Sequence, residues 1–157
     1  IKEIVEEVTV VKKDGSGVSV LSAEDMDFSY RHSILEKTGD IAVSAVLKLE
    51  SGDHEQIALK MSELTRRRNE KQPVQYPSCG SFFKRPEGYF AGKLIQDAGL
   101  KGLTVGGAQV SELHSGFIIN RGGASASDII DLMHLVQNVV YDKFGVKLEP
   151  EVRIIGD

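Results

Sequence analysis

Residues 4–11 set Val5, Val8 and Val10 among charged positions, Asp14-Gly15-Ser16-Gly17 supplies a turn, and residues 18–21 are again apolar at alternate positions. That pattern predicts a β-hairpin. Ser22-Ala23-Glu24-Asp25 has the form of a capping box opening a short helical turn, and the polar, aromatic residues 28–33 that follow are irregular. Residues 41–49 read as a strand. From 53 to 70, Ile57, Met61 and Leu64 return at helical spacing, and Arg66-Arg67-Arg68 near the end suits the negative pole of a helix dipole. Gln72-Pro73 breaks that helix. A second helix is predicted over 89–98 with Gly99 as its C-cap, then strands over 102–111 and 116–120. In the third helix Ser125 and Asp128 cap the start, Ile129, Leu132, Leu135, Val136, Val139 and Val140 line one face, and Gly145 stops it. Residues 151–155 alternate charged and apolar side chains and read as a last strand.

This order, strands first and then helix, loop, helix, strands, helix and strand, predicts α+β layers rather than a βαβ alternation. The natural division places 53–149 in one compact α+β unit and joins 1–52 to 150–157 in a discontinuous second one. At 157 residues and 41% hydrophobic content the composition is globular, and a net charge of −4 argues against a nucleic-acid partner, which asks for a basic face. Cys79 is the single cysteine, so no intramolecular disulfide forms, in keeping with a reducing compartment. No apolar run approaches the ~20 residues of a membrane span, and the N-terminus lacks a signal-peptide pattern. A cytoplasmic protein with no membrane partner is the expectation. The chain starts at Ile1 and enters its apolar pattern at once, so a further N-terminal part is expected to precede it.

Chemistry concentrates in Gly80-Ser81-Phe82-Phe83-Lys84-Arg85-Pro86. A serine held in such a loop can present its hydroxyl at a cleft, but as a proton donor it needs a neighbouring cation or a developing anion. A turn serine bonded to its own backbone is the alternative. Lys84, Arg85, Arg66, Arg67, Arg68 and Lys71 are cations near this loop in sequence, suited to a phosphate or diphosphate; equally, they describe a solvated helix end. Arg31 can clamp a carboxylate or serve in a surface ion pair, and Glu151, behind Pro150, can face a substrate or simply end a strand. His32, His54, His114 and His134 show no metal-ligand spacing, so no metal is expected. Neither Gly106-Gly107 nor Gly122-Gly123 belongs to a dinucleotide fingerprint, and both pairs read as turns.

Five stretches in order carry a resemblance along nearly the whole chain: Phe28-Ser29-Tyr30-Arg31-His32-Ser33, Pro77-Ser78-Cys79-Gly80-Ser81-Phe82-Phe83-Lys84-Arg85-Pro86, Ala91-Gly92-Lys93-Leu94-Ile95, Gly99-Leu100-Lys101-Gly102 through Val105-Gly106-Gly107-Ala108, and Leu148-Glu149-Pro150-Glu151-Val152-Arg153. Together they resemble the UDP-N-acetylenolpyruvoylglucosamine reductase (MurB) family, flavoenzymes of peptidoglycan synthesis. The resemblance implies a fold of the vanillyl-alcohol-oxidase type, incomplete here, with 53–149 as the substrate-binding domain and 1–52 with 150–157 as a remnant of the FAD-binding domain. It implies hydride transfer from NADPH through FAD to the enolpyruvyl ether of a nucleotide sugar, with Ser81 as proton donor and Arg31 and Glu151 as the other catalytic positions. Lys71 and Arg85 fall at diphosphate contacts, and Arg68, His114 and Tyr30 at substrate-facing positions. The short link between Leu49 and Asp53 matches the form without a tyrosine-bearing insertion. Most FAD-binding residues should precede Ile1, so this chain is expected to hold FAD weakly or not at all; a nucleotide-sugar-binding module without activity is the alternative.

Overall fold

A computed structural model describes residues 1–156. By internal packing the chain divides into two units, Ile1–Ile57 and Ala58–Asp157. In the first, the predicted hairpin forms from β1 (Val5–Val11) and β2 (Val18–Ser22), and β3 (Ile41–Leu47) joins the other edge of β1, giving the antiparallel order β2-β1-β3. Val5, Val8 and Val10 turn to one side, where they meet Met26, and Leu21, Phe28, Ile34 and Leu35 pack against that cluster. The Ser22 and Asp25 reciprocity predicted from the sequence is present: the Ser22 N–H donates to Asp25 Oδ2 at 3.1 Å and the Asp25 N–H to Ser22 Oγ at 3.1 Å. It opens the single helical turn expected there, in which the Met26 N–H donates to Ser22 O at 3.1 Å. The short α1 (Leu35–Thr38), which the pattern does not predict, follows later and ends at Gly39 with φ 71°.

Asp53 caps α2 (His54–Lys71), its Oδ1 accepting the Gln56 N–H at 2.9 Å. The stripe that predicts this helix stays outside: Ile57, Met61 and Leu64 are 48%, 64% and 52% exposed. Periodicity is a local property, whereas burial needs a partner surface. Arg66 pairs with Glu70 at 2.6 Å and Arg67 with Glu63, so these two arginines behave as the helix-surface alternative has it.

The second unit holds β4 (Ser78–Ser81), α3 (Ala91–Asp97), β5 (Thr104–Val105), β6 (Ala108–Val110), β7 (Phe117–Asn120) and α4 (Ala126–Phe144). Its antiparallel sheet runs β4-β7-β6-β5, and α4 lies against β5, β6 and α3. Ile95, Leu132, Val136 and Val140 fill the interior between them, closed by Phe82, Phe83 and Leu148. The chain is α+β, as the element order predicts.

Three expectations are corrected. The strand over 102–111 is a hairpin that turns at Gly106-Gly107, because Gly106 takes φ 52° and a side chain on Gly107 would stand 2.5 Å from the Ala124 nitrogen. The start of the serine loop is strand, since residues 78–81 pair with β7. Residues 151–155 form no strand: Pro150 makes an isolated bridge to Phe83, and the ladder goes no further. Alternation supplied the side-chain pattern there without a second strand to accept it.

Asp128 joins the hairpin to α4. Its carboxylate accepts the N–H groups of Ser125 at 3.0 Å and Gly107 at 3.2 Å, while Ser125 Oγ accepts the Asp128 N–H at 3.1 Å, completing the predicted capping box. Those bonds, Ser125's first, hold the Asp128 carboxyl below its ordinary value of 3.8. A lowered folded value means stability present above 3.8 and lost as pH falls through the folded value. Asp128→Asn is therefore expected to lower Tm at pH 7, with the gap to the parent chain narrowing below pH 3.8; thermal melts from pH 7 to pH 2.5 check this.

Candidate active site

Strand β4 carries one extra residue against β7: Ser78 lies opposite Ile119 and Ser81 opposite Phe117, with the register shifting between them. Gly80 absorbs the bulge at φ 80°, a conformation that favours glycine. Such a bulge re-aims the next side chain, here Ser81. Immediately after it, Phe82 and Phe83 are 3% and 4% exposed, their ring centroids 5.4 Å apart. The Phe82 N–H donates to Gly116 O at 2.8 Å. Ser81 thus stays exposed at a lip whose backbone is anchored on both sides.

Glu151 is brought to the same place from the far end of the chain. Its N–H donates to Phe82 O at 2.9 Å, and Phe83 bridges Pro150. A cleft of about 230 Å³ opens between the segments, lined by Cys79, Ser81, Glu151, Val152 and Arg153. It sets a hydroxyl and a carboxyl group on one small space, with a guanidinium at its edge. That set can deliver a proton to a carbon and hold a carboxylate-bearing fragment.

His114 is tied to this lip through the backbone. Its Nδ1 accepts the Gly116 N–H at 3.1 Å, which leaves the ring proton of the neutral imidazole on Nε2 as a donor. The ring meets Phe117 edge-on, centroids 4.9 Å apart. Arg85 turns into its own loop, donating Nε–H to Tyr89 O at 3.2 Å and stacking 4.0 Å from the Phe90 ring centroid. Arg68 donates to Gln72 Oε1 at 3.2 Å, and Lys71 is the exposed last residue of α2. Lys84 binds Glu149 instead of standing open to a phosphate, Nζ to Oε1 at 2.5 Å.

Tyr30 and Arg31 belong to the first unit, where Ser29 and His32 exchange backbone bonds of 3.1 and 3.3 Å around them. Arg31 adopts φ 55°, at a turn position where glycine is usual, with its guanidinium 5.6 Å from the Tyr30 ring. Backbone strain of that kind clusters at functional positions. Among the sequence candidates, the structure gathers Ser81 and Glu151 in one cleft and links His114 to it. Cys79, Val152 and Arg153 were not foreseen as lining residues; the two-residue period of a strand through Ser81 points to Cys79 once β4 is recognised. Among the described residues no three His, Cys, Asp or Glu side chains are grouped to hold a metal ion, and no helix is long and apolar enough to cross a membrane.

The fold is α+β, and one cleft presents a serine hydroxyl and a carboxyl group. Residues 72–155 match the family described as UDP-N-acetylenolpyruvoylglucosamine reductase, C-terminal domain, and the chain belongs to that family. It is 53% identical over 99% of its length to the UDP-N-acetylenolpyruvoylglucosamine reductase of Caldanaerobacter subterraneus subsp. tengcongensis, and 54% identical over 100% to that of Pediococcus pentosaceus. The crystal structure of UDP-N-acetylenolpyruvylglucosamine reductase (MurB) from Thermus caldophilus superposes with a TM-score of 0.82 at 37% identity, covering 97% of this chain and 53% of that one. The chain spans about half the length of the curated relatives it matches, 51% and 52% of the two named here.

Proposed function

We propose that this chain is the substrate-handling part of a reductase that converts UDP-N-acetylglucosamine enolpyruvate to UDP-N-acetylmuramate in cytoplasmic peptidoglycan synthesis. The observation that carries the reading is the single cleft shared by Ser81 and Glu151. On family lines, 53–149 is the substrate-binding domain and 1–52 with 150–157 a remnant of the FAD-binding domain, a functional boundary distinct from the packing division.

FAD and NADPH would supply the hydride when bound to the whole reductase. The cleft of about 230 Å³ fits neither, since sites for ligands of drug size run to roughly 300–1,000 Å³. The residues here take the part that remains. With a hydride added to the methylene carbon, negative charge develops at the carbon beside the substrate carboxylate. Ser81 donates its hydroxyl proton to that carbon, where the developing anion supplies the proton affinity a serine needs. Arg31 offsets the charge spread over the carboxylate. Glu151, on the same cleft as Ser81, takes the third catalytic position beside the substrate carboxyl group. Lys71 and Arg85 hold the diphosphate, with Arg68, His114 and Tyr30 at neighbouring substrate groups.

Calorimetry of the chain with UDP-N-acetylglucosamine enolpyruvate is expected to show binding, and Lys71→Ala or Arg85→Ala to weaken it about 5- to 30-fold, the loss of one charge-assisted hydrogen bond. No binding by a folded chain overturns the substrate assignment. A second reading is a nucleotide-sugar-binding module without activity. The isolated chain is expected to be colourless after purification; a yellow preparation that oxidises NADPH with substrate present would refute weak flavin binding and the inactive module alike.

A further inference from the structure

Glu151 reaches the cleft on a segment with little regular structure of its own. Two backbone hydrogen bonds join that segment to the residues after Ser81: Lys84 N–H to Glu149 O at 2.8 Å and Glu151 N–H to Phe82 O at 2.9 Å. Between them stand Phe83 and Pro150, a non-hydrogen-bonded pair whose backbone polar groups point away from the facing segment, so these two bonds are the only backbone rungs in this bridge. The side chains of the outer rung add a third tie. Lys84 Nζ meets Glu149 Oε1 at 2.5 Å, so Lys84 grips Glu149 by backbone and by side chain together. The buried Leu148 behind it is fixed as well, its carbonyl accepting Gln137 Nε2–H at 2.8 Å.

We propose that Lys84 and Glu149 form a positioning pair that locks the register of residues 149–151 against 82–84 and so sets Glu151 beside Ser81. The proposal rests on the catalytic roles given above to Ser81 and Glu151. Neither Lys84 nor Glu149 lines the cleft, so the pair acts through Glu151 and not on the substrate. Its side chains are 36% and 70% exposed, and an ion pair that open contributes little to global stability. Its effect falls on geometry, where a displacement of about 1 Å can cost up to 10²-fold in rate.

The test has two arms. In the isolated chain, Lys84→Ala and Glu149→Ala should each speed amide exchange at Glu151 about tenfold, with Tm moving by no more than about 5 °C, and the double exchange Lys84→Glu with Glu149→Lys should restore slow exchange. Unchanged exchange in the single variants overturns the clamp. In a full-length reductase bearing these residues, the single variants should lower kcat about 10- to 100-fold at nearly constant KM, with flavin reduction by NADPH unaffected. The double exchange and Lys84→Arg should both recover kcat to within about threefold of the parent; no recovery overturns the positioning role. Ser81→Ala serves as the control for the underlying reading: if it turns over normally, the reaction assigned to this cleft fails and the positioning role with it, whereas the exchange arm still judges the clamp.

Discussion

Ser81→Ala in a full-length reductase is expected to lower turnover by about 10²- to 10⁴-fold, the usual contribution of a positioned proton donor, while NADPH reduces the flavin as fast as before. The split follows from where Ser81 stands. Its side chain faces a small cleft with Glu151, and its backbone is held by the Phe117 pairing before the two buried phenylalanines. Alanine removes one oxygen and leaves that framework in place, so substrate binding should change little and KM should stay near the parent value. Stopped-flow flavin reduction and steady-state substrate reduction separate the two half-reactions. Cysteine at the same position offers a second check, since its thiol can donate a proton and should recover part of the rate. Equal turnover in the parent and Ser81→Ala enzymes would remove Ser81 from the reaction.

Leu132→Ala is expected to destabilise the second unit by about 2–5 kcal/mol. Leu132 is 0% exposed in α4, in the cluster with Ile95, Val136 and Val140 beneath the sheet. Close packing leaves neighbours unable to collapse fully into the space, so the cost includes a cavity as well as lost apolar burial. For a unit of about 100 residues this corresponds to a Tm lower by roughly 10–30 °C. Leu135 on the same helix is the control: at 38% exposure its replacement by alanine should cost less than about 1 kcal/mol. Similar losses at both positions would contradict the packing described for α4.

Much of the fold was legible wherever the signal was local. In α4, the Ser125 and Asp128 cap, the apolar stripe and the Gly145 stop all sit within one segment and agree with one another. The β1–β2 hairpin is similar, with turn residues between two apolar runs. The same local rule named Leu132 and Leu135 as one face without separating them, because the width of the buried stripe depends on what covers it. The spacing of Ile57, Met61 and Leu64 likewise predicted the helix α2 without fixing whether that face is covered, and it is exposed. The candidate site was legible in a different way. Ser81, Glu151 and Arg31 were named through a resemblance spread over five motifs, whereas chemistry alone left each with a bland alternative.

By itself, then, the sequence determined the three longer helices and the caps of α4, the first hairpin, the α+β class and the family to which the chain belongs. Short-range bonds and side-chain periodicity settle the first three, and the order of motifs settles the last. Only the tertiary structure decided that Ser78–Ser81 is a bulged strand, that residues 151–155 are not one, and that Ser81 and Glu151 meet. The physical reason is the same in each case. A four-residue segment such as Ser-Cys-Gly-Ser has no strand pattern of its own and becomes one by pairing with β7, and a cleft exists only where segments 70 residues apart are brought together by bonds neither carries alone.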